Sequence, residues 1–186
     1  MRVYRSWIPA EARAFRRFTS GRRVLFKGRV LERVRRIVEE VRLGGDSALF
    51  RATARYDGAR LARGSVRVAA RDMQAAWLGL EPPQRAAMRL ALRGILAFHK
   101  CQAERGFTMR APHGVLRRVV RPLGRVGIHV PAAAAPLVSS FLMCAGAARA
   151  AGVREIVLIS PPRYGRSISR EILAAAWLAG VKEAYR

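Results

Sequence analysis

The chain has 186 residues, of which 51% are hydrophobic, and this is enough apolar material to bury the core of one or two compact domains. An intrinsically disordered chain is therefore not predicted. There is no apolar run of about 18 residues, and the arginine-rich start lacks a signal-peptide pattern. We expect a soluble, cytoplasmic protein that has no membrane partner.

The charge is strongly basic, with 36 Lys and Arg against 12 Asp and Glu, giving a net charge of +24. Only Lys27, Lys100 and Lys182 are lysines, and the sequence contains no asparagine. Coding bias toward arginine and alanine explains this pattern as a solvated surface, whereas affinity for polyanions gives no reason to exclude lysine. Both explanations stay open, and non-specific binding to nucleic acid is expected at low salt.

Cysteines and histidines give no pattern that would bind a metal. Cys101 and Cys144 lie in segments predicted to be helical and are interpreted as small buried hydrophobic residues. His99 is predicted at the end of a helix, and His113 in a turn. Because a zinc site needs three or four converging ligands, no metal-binding residue is predicted in this chain.

Residues 1–27 are aromatic and basic without a sustained period, so they are predicted to form an amino-terminal arm. Residues 28–121 are predicted to be a helix-rich part. One helix starts at Gly28 and ends at Gly44–Gly45, and a second runs from Asp46, its N-cap, to about residue 56.

The helix-rich part continues with a short strand around Val66 and Val68 and a helix over 72–80. A longer helix opens at Pro82 and Pro83, because proline is tolerated in the first helical turn. A β-hairpin is predicted over 107–120.

Residues 122–186 alternate between strands and helices. Strands are predicted over 126–130, 155–160 and 181–185, and helices over 139–150 and 169–179. This order predicts an α/β fold, namely an incomplete doubly wound, Rossmann-like parallel sheet preceded by a helical segment and a β-hairpin. A sheet that stops in its third strand is expected to leave an open edge and an uncovered crossover helix.

A ligand crevice is expected at the carboxyl ends of these strands. The turn after the strand over 126–130 enters a helix whose N-terminal amides favour an anion, and Ser139 and Ser140 are suitable capping residues. The Gly-x-Gly-x-x-Gly fingerprint of dinucleotide sites is absent.

The same stretch resembles histidinol dehydrogenases, which have an R-P-x-x-R-V-G motif ending in Tyr-x-Pro-Gly-Gly, a P-x-x-S-[ST]-x-L-M helix and a strand ending in S-P-P. The matching residues are Arg121, Pro122, Arg125, Val126, Gly127, Pro131, Ser139, Ser140, Leu142, Met143, Ser160, Pro161 and Pro162. Earlier matches are Gly45, Asp46, Ala48, Leu49, Tyr56, Asp57 and Gly58. His129 stands where the family has Tyr, and Ala132 and Ala133 replace its two glycines.

The resemblance covers about residues 28–186 and implies oxidation of L-histidinol to L-histidine by a zinc-dependent homodimer that uses two NAD⁺ in succession. It places cofactor binding at His129, Pro131, Ala132 and Ala133, with His129 able to stack on a base or ribose. The alanines add a methyl group and restrict φ where the family has glycine, which weakens NAD binding if those positions need φ > 0.

The family's zinc ligands and its catalytic Glu–His pair lie beyond the matched part, so no catalytic residue is predicted here. The expected partners are a complementary carboxyl-terminal chain, a homodimer partner, or both, and L-histidinol would bind only to a completed assembly. The alternative hypotheses are a degenerate remnant acting as a basic nucleic-acid-binding protein, or a structural subunit that binds no cofactor.

Overall fold

The computed structural model describes residues 4–20, 28–132, 134–163 and 165–186. The chain forms two compact units, Met1–Ala48 and Leu49–Arg186. In the first, residues predicted only as an arm include a helix, α1 (Pro9–Ser20). The Tyr4 ring lies 5.5 Å from the Phe15 ring and 6.0 Å from the Phe18 ring.

The next element, α2 (Gly28–Asp57), contains a break at Gly45, where φ is 55° and ψ is −143°. Glycine tolerates a positive φ that other residues rarely adopt, so this break separates the two helices predicted from the sequence. The first helix exposes its apolar stripe, with Val34 at 51% and Val38 at 60% exposure.

The second unit begins in the last turns of α2, and its described residues contain four further α-helices and six strands. The helices are α3 (Ala70–Leu78), α4 (Pro82–Cys101), α5 (Val138–Ala150) and α6 (Arg170–Leu178). The strands are β1 (Arg67–Val68), β2 (Phe107–Ala111), β3 (Gly114–Arg118), β4 (Arg125–His129), β5 (Glu155–Ile159) and β6 (Glu183–Tyr185). These elements match the predicted types and fall within a few residues of the predicted limits, and β2 and β3 form the predicted hairpin.

The main sheet has the strand order β1-β6-β5-β4. β4, β5 and β6 are parallel, whereas β1 pairs antiparallel with β6 through Arg67–Tyr185 and Val68–Ala184. The last strand is therefore paired with β1, and the expected open edge lies instead at β4 among the described residues. The expected uncovered crossover helix is wrong, because α6 packs against α3.

Alternation along the strands separates a core face from a second face. Ile128, Ile156, Leu158 and Ala184 belong to the main core cluster, together with residues of α3 to α6. The intervening residues of β4, β5 and β6 are absent from this cluster. The two crossovers, β4-α5-β5 and β5-α6-β6, proceed in one direction across the sheet, which for right-handed connections puts α5 and α6 on the same face.

Two predictions about pairs of residues are wrong. Cys101 and Cys144 are exposed rather than buried, because each lies on the outer side of its helix. Ser139 and Ser140 do not cap α5, because the helix starts one residue earlier, with Leu137 at the N-cap and no side-chain cap bond.

Candidate functional site

The candidate site is on the face of the sheet opposite the core helices. We call it the open face and define it by Gly127 and His129 of β4, Val157 and Ile159 of β5, and Tyr185 of β6. Ile159 is 42% exposed although it is a large apolar residue in a central strand.

A cavity of about 580 Å³ lies over this face, and it is lined mainly by apolar groups. Its other walls come from Leu49, Thr53 and Asp57 in the last turns of α2, from Val66, and from Pro161 and Pro162 after β5. A mostly apolar concavity of this size is typical of small-molecule sites.

His129 is the predicted cofactor residue that lines this cavity. It is exposed at the carboxyl end of β4, so its ring is free to stack on a planar ligand. Pro131 and Ala132 follow it in the connection to α5 and are not among the lining residues. The fourth predicted residue, Ala133, lies outside the described residues.

The backbone accommodates alanine at position 132. Among the described residues other than glycine, Arg166 alone has a positive φ, of 64°. Ala132 therefore adopts an ordinary L-residue conformation, and the loop carries no left-handed strain at this position.

The loop after β4 leads into α5, which has thirteen residues. No side chain accepts a hydrogen bond from its first-turn amides at the N-cap. Such amides, together with the helix dipole, favour a negatively charged group such as a phosphate.

The rim of the sheet, where the strands have their carboxyl ends, is held together by hydrogen bonds that were not predicted from the sequence. Arg163 donates from Nε to Asp57 Oδ1 over 3.2 Å and from Nη2 to the Tyr56 carbonyl oxygen over 3.0 Å. This guanidinium joins the loop after β5 to the end of α2. Asp57 lies in the Tyr-Asp-Gly motif and Arg163 directly follows the Ser-Pro-Pro motif. Their separation of 106 residues gives no local signal of this contact.

Ser160 lies at the same rim, where β5 ends. Its side chain is 1% exposed, and its Oγ has no hydrogen-bond partner among the described residues. Leaving a buried hydroxyl unpaired costs about 1–3 kcal/mol.

The amino-terminal end of the open face carries a charged cluster. Arg125 contacts Glu183 over 2.9 Å and Glu155 over 3.2 Å, and the Tyr185 hydroxyl donates to Glu183 over 2.8 Å. The hydrogen bond from Tyr185, aided by the Arg125 charge, lowers the pKa of Glu183 below its usual 4.5. The same hydrogen bond raises the pKa of Tyr185 above its usual 10.0.

The other two histidines are outside this site. His99 shares a 2.7 Å hydrogen bond with Gln102 and contacts Phe98 edge-on, which agrees with the predicted helix-end histidine. His113 occupies the turn between β2 and β3 and is exposed. Within the described ranges, no three His, Cys, Asp or Glu side chains are placed to hold a metal ion, so this part of the chain does not fit a zinc site.

None of the described helices has the length and apolar character that crossing a membrane requires.

Comparison with known proteins places this architecture in one family. The family model for histidinol dehydrogenase matches residues 21–186. A histidinol dehydrogenase from Xanthomonas oryzae is 42% identical over 151 residues, covering 81% of this chain and 35% of the relative. One from Symbiobacterium thermophilum is 37% identical over 177 residues, covering 95% of this chain and 40% of the relative.

The crystal structure of histidinol dehydrogenase from Elizabethkingia anophelis has the same architecture, with a TM-score of 0.77 and 30% identity. The match covers 84% of this chain and 36% of that one. The chain thus spans 35–40% of the length of these relatives. From the matched model, the sequence relatives and the shared fold, the chain belongs to the histidinol dehydrogenase family.

Proposed function

We propose that this chain is the amino-terminal part of a histidinol dehydrogenase and that it becomes active only with a complementary carboxyl-terminal polypeptide. The observation that carries the proposal is the cavity on the open face, lined by His129, in a chain that matches 35% of the length of a histidinol dehydrogenase. In the completed assembly, which we expect in the cytoplasm, L-histidinol is oxidised to L-histidine.

NAD is the proposed cofactor, and it accepts the hydride when bound. His129 stacks on a planar group of the ligand, and the first-turn amides of α5 bind its pyrophosphate. The apolar floor around Val157 and Ile159 excludes water from that group. Zinc and the general acid–base residues would come from the complementary polypeptide, because this chain's described part lacks the ligands for them.

The experiment compares the chain alone with the chain plus the carboxyl-terminal part of the Xanthomonas oryzae relative, following NADH absorbance with histidinol and NAD⁺. We expect turnover only in the mixture. Turnover by the isolated chain would contradict dependence on a partner. Absence of turnover in the mixture, together with stable association, would contradict the proposed activity and favour a degenerate remnant.

A second candidate function is nucleic-acid binding, and a particular surface favours it. Arg89, Arg93 and Arg149 line a groove of about 470 Å³ formed by α4, α5 and the end of α6. None of the three forms an ion pair with a described carboxylate, and Arg89 stacks over the Trp77 ring at 5.0 Å. Unpaired guanidinium groups beside a groove are suited to phosphate contacts.

A further inference from the structure

The groove between α4, α5 and the end of α6 brings three arginines into one concavity of about 470 Å³. Arg89 and Arg93 belong to α4, and Arg149 lies in the last turn of α5. Neither of these helices contains an acidic residue. The two helices therefore supply no carboxylate of their own to balance the three positive charges.

The floor of this groove is apolar. Leu92 is buried in the main core cluster, and Leu96 and Leu178 pack against that cluster while staying partly exposed. Ala86 is the remaining described residue of the lining. The groove thus combines exposed guanidinium groups with an aliphatic floor, which is the pattern that suits a ligand with a charged group and an apolar body.

The arrangement of the arginines favours an anion between them. Arg89 and Arg93 are four residues apart on α4, so their charges are neighbours on the helix surface and repel each other. The Arg89 guanidinium lies 5.0 Å from the centre of the Trp77 ring, and this cation–π contact holds it in place. A bound anion would replace the repulsion by charge-assisted hydrogen bonds.

The size and the lining indicate a compact ligand rather than a nucleic-acid strand. The volume lies in the range of small-molecule sites. Proteins that bind single strands present aromatic rings on which the bases stack. The Trp77 ring is only 6% exposed and lies beneath Arg89, and the described lining residues include no aromatic side chain.

We infer that this groove binds a small amphiphilic phosphate, whose phosphate group contacts Arg89, Arg93 and Arg149 and whose apolar body lies on Leu96 and Leu178. Phosphate is the favoured head group because guanidinium groups match its oxygens with paired hydrogen bonds. The site is separate from the proposed dehydrogenase activity, since none of its residues lines the cavity on the open face.

The test is isothermal titration calorimetry of this chain with hexyl phosphate at about 0.15 M salt, where attraction between exposed charges is largely screened. Inorganic phosphate measures the contribution of charge alone, and hexanol that of the apolar floor alone. We expect saturable binding of hexyl phosphate, at least about tenfold tighter than that of either probe, because both the charge and the methylene groups contribute.

Arginine substitutions show where the phosphate binds. The test variant replaces the three groove arginines by Gln, and we expect it to bind hexyl phosphate at least about tenfold more weakly. The matched control, which should stay within about twofold of the parent chain, replaces three exposed arginines outside the groove by Gln, namely Arg60, Arg105 and Arg110.

A second pair of variants leaves every arginine in place. Ala86 and Ala87 are adjacent exposed residues of α4, and only Ala86 lines the groove. Ala86→Glu adds a carboxylate three residues before Arg89, where it competes with the ligand for that guanidinium. We expect at least about threefold weaker binding for Ala86→Glu and a change within about twofold for Ala87→Glu. This pair decides the matter if loss of the Arg89–Trp77 contact lowers the thermal midpoint of the arginine variant.

Equal affinities of the parent chain and both groove variants for hexyl phosphate would overturn this assignment. So would binding of inorganic phosphate or hexanol as tight as that of hexyl phosphate, or the absence of saturable binding. A single-stranded oligonucleotide that displaces hexyl phosphate at this salt concentration, and that the groove variants no longer bind, would assign the groove to nucleic acid instead. Because the titration contains neither NAD⁺ nor histidinol, its outcome is independent of the proposed dehydrogenase activity.

Discussion

His129 lies in the candidate site at the position where the resemblance to the family implies a tyrosine. Its imidazole lines the cavity but offers a smaller aromatic surface than a tyrosine ring would. Sequence comparison identified the position, and the structure added that the ring is exposed at the end of β4. If His129 stacks on NAD as proposed, we expect its smaller ring, rather than a displaced position, to limit the affinity for NAD.

We predict that His129→Tyr tightens NAD binding in the assembly about two- to twelvefold, since a larger aromatic contact contributes about 0.5–1.5 kcal/mol. His129→Ala should weaken it. Isothermal titration calorimetry with NAD⁺ provides the measurement, and His113→Tyr, the same change at the exposed hairpin turn, is the control. Equal effects at positions 129 and 113 would contradict a stacking role for His129.

Glu183 is stabilised in its ionised form by two neighbouring side chains. Its folded pKa is below 4.5, first because of the hydrogen bond from Tyr185 and then because of the Arg125 charge. A group with a lowered folded pKa contributes stability that is present above its unfolded pKa and lost as the pH falls through the folded pKa. The ionised Glu183 therefore stabilises the fold at neutral pH.

We predict that Glu183→Gln lowers the free energy of unfolding at pH 7 and that the difference from the parent shrinks below pH 4.5. Urea denaturation over this range measures it. Glu155→Gln is the matched control, because Glu155 contacts the same Arg125 but its side chain is 62% exposed, against 26% for Glu183. A difference that persists unchanged at low pH would contradict the linkage.

Among the elements, α4 and α5 show how closely the helical layer packs. Gly146 of α5 faces Ile95 of α4, and a Cβ at Gly146 would overlap Ile95 Cγ2 and lie 3.3 Å from Ile95 Cβ. Gly94 of α4 has open space around it. The sequence shows two similar helix glycines, and only the packing distinguishes them.

Gly146→Ala should destabilise the chain by about 1–3 kcal/mol, because overpacking forces the helices apart. Gly94→Ala should stabilise it by about 0.5–1 kcal/mol, because alanine favours the helix and meets nothing there. Chemical denaturation of both variants provides the comparison. If the two changes had the same sign, the close approach of α4 and α5 would be contradicted.

For the whole molecule, the net charge of +24 predicts binding to any polyanion at low salt. If the arginines form a solvated surface, this binding should vanish by about 0.15 M salt, where exposed charges are largely screened. A salt titration with a fluorescent single-stranded oligonucleotide measures it.

The test variant replaces Arg89, Arg93 and Arg149 by Gln together. The matched control replaces Arg60, Arg105 and Arg110 by Gln together. Both sets remove three charges from exposed positions. We expect equal loss of affinity. Saturable binding at physiological salt that only the first set abolishes would support the groove as a nucleic-acid site.

From residue 28 onward, the sequence alone predicted the types and approximate limits of the helices and strands. The signals were the hydrophobic periodicity, Gly45 and the paired prolines, and each depends only on residues close in the chain. Sequence reasoning missed α1, whose apolar residues follow no sustained period, and it placed the cap of α5 at Ser139 or Ser140, whereas the N-cap is Leu137. It also predicted that both cysteines are buried, whereas they are exposed. The sequence does not show which side of a helix packs against another element.

The sequence by itself determined the motifs that resemble the family and the α/β order of the second unit, since both depend on residues close in the chain. The tertiary structure decided that β1 covers the edge of β6, that α3 covers α6, and that Arg163 joins Asp57. These contacts join segments more than 90 residues apart, and their free energy comes from packing rather than from any local preference. Only the folded sheet shows that β4, with His129 at its carboxyl end, forms a sheet edge that is unpaired among the described residues.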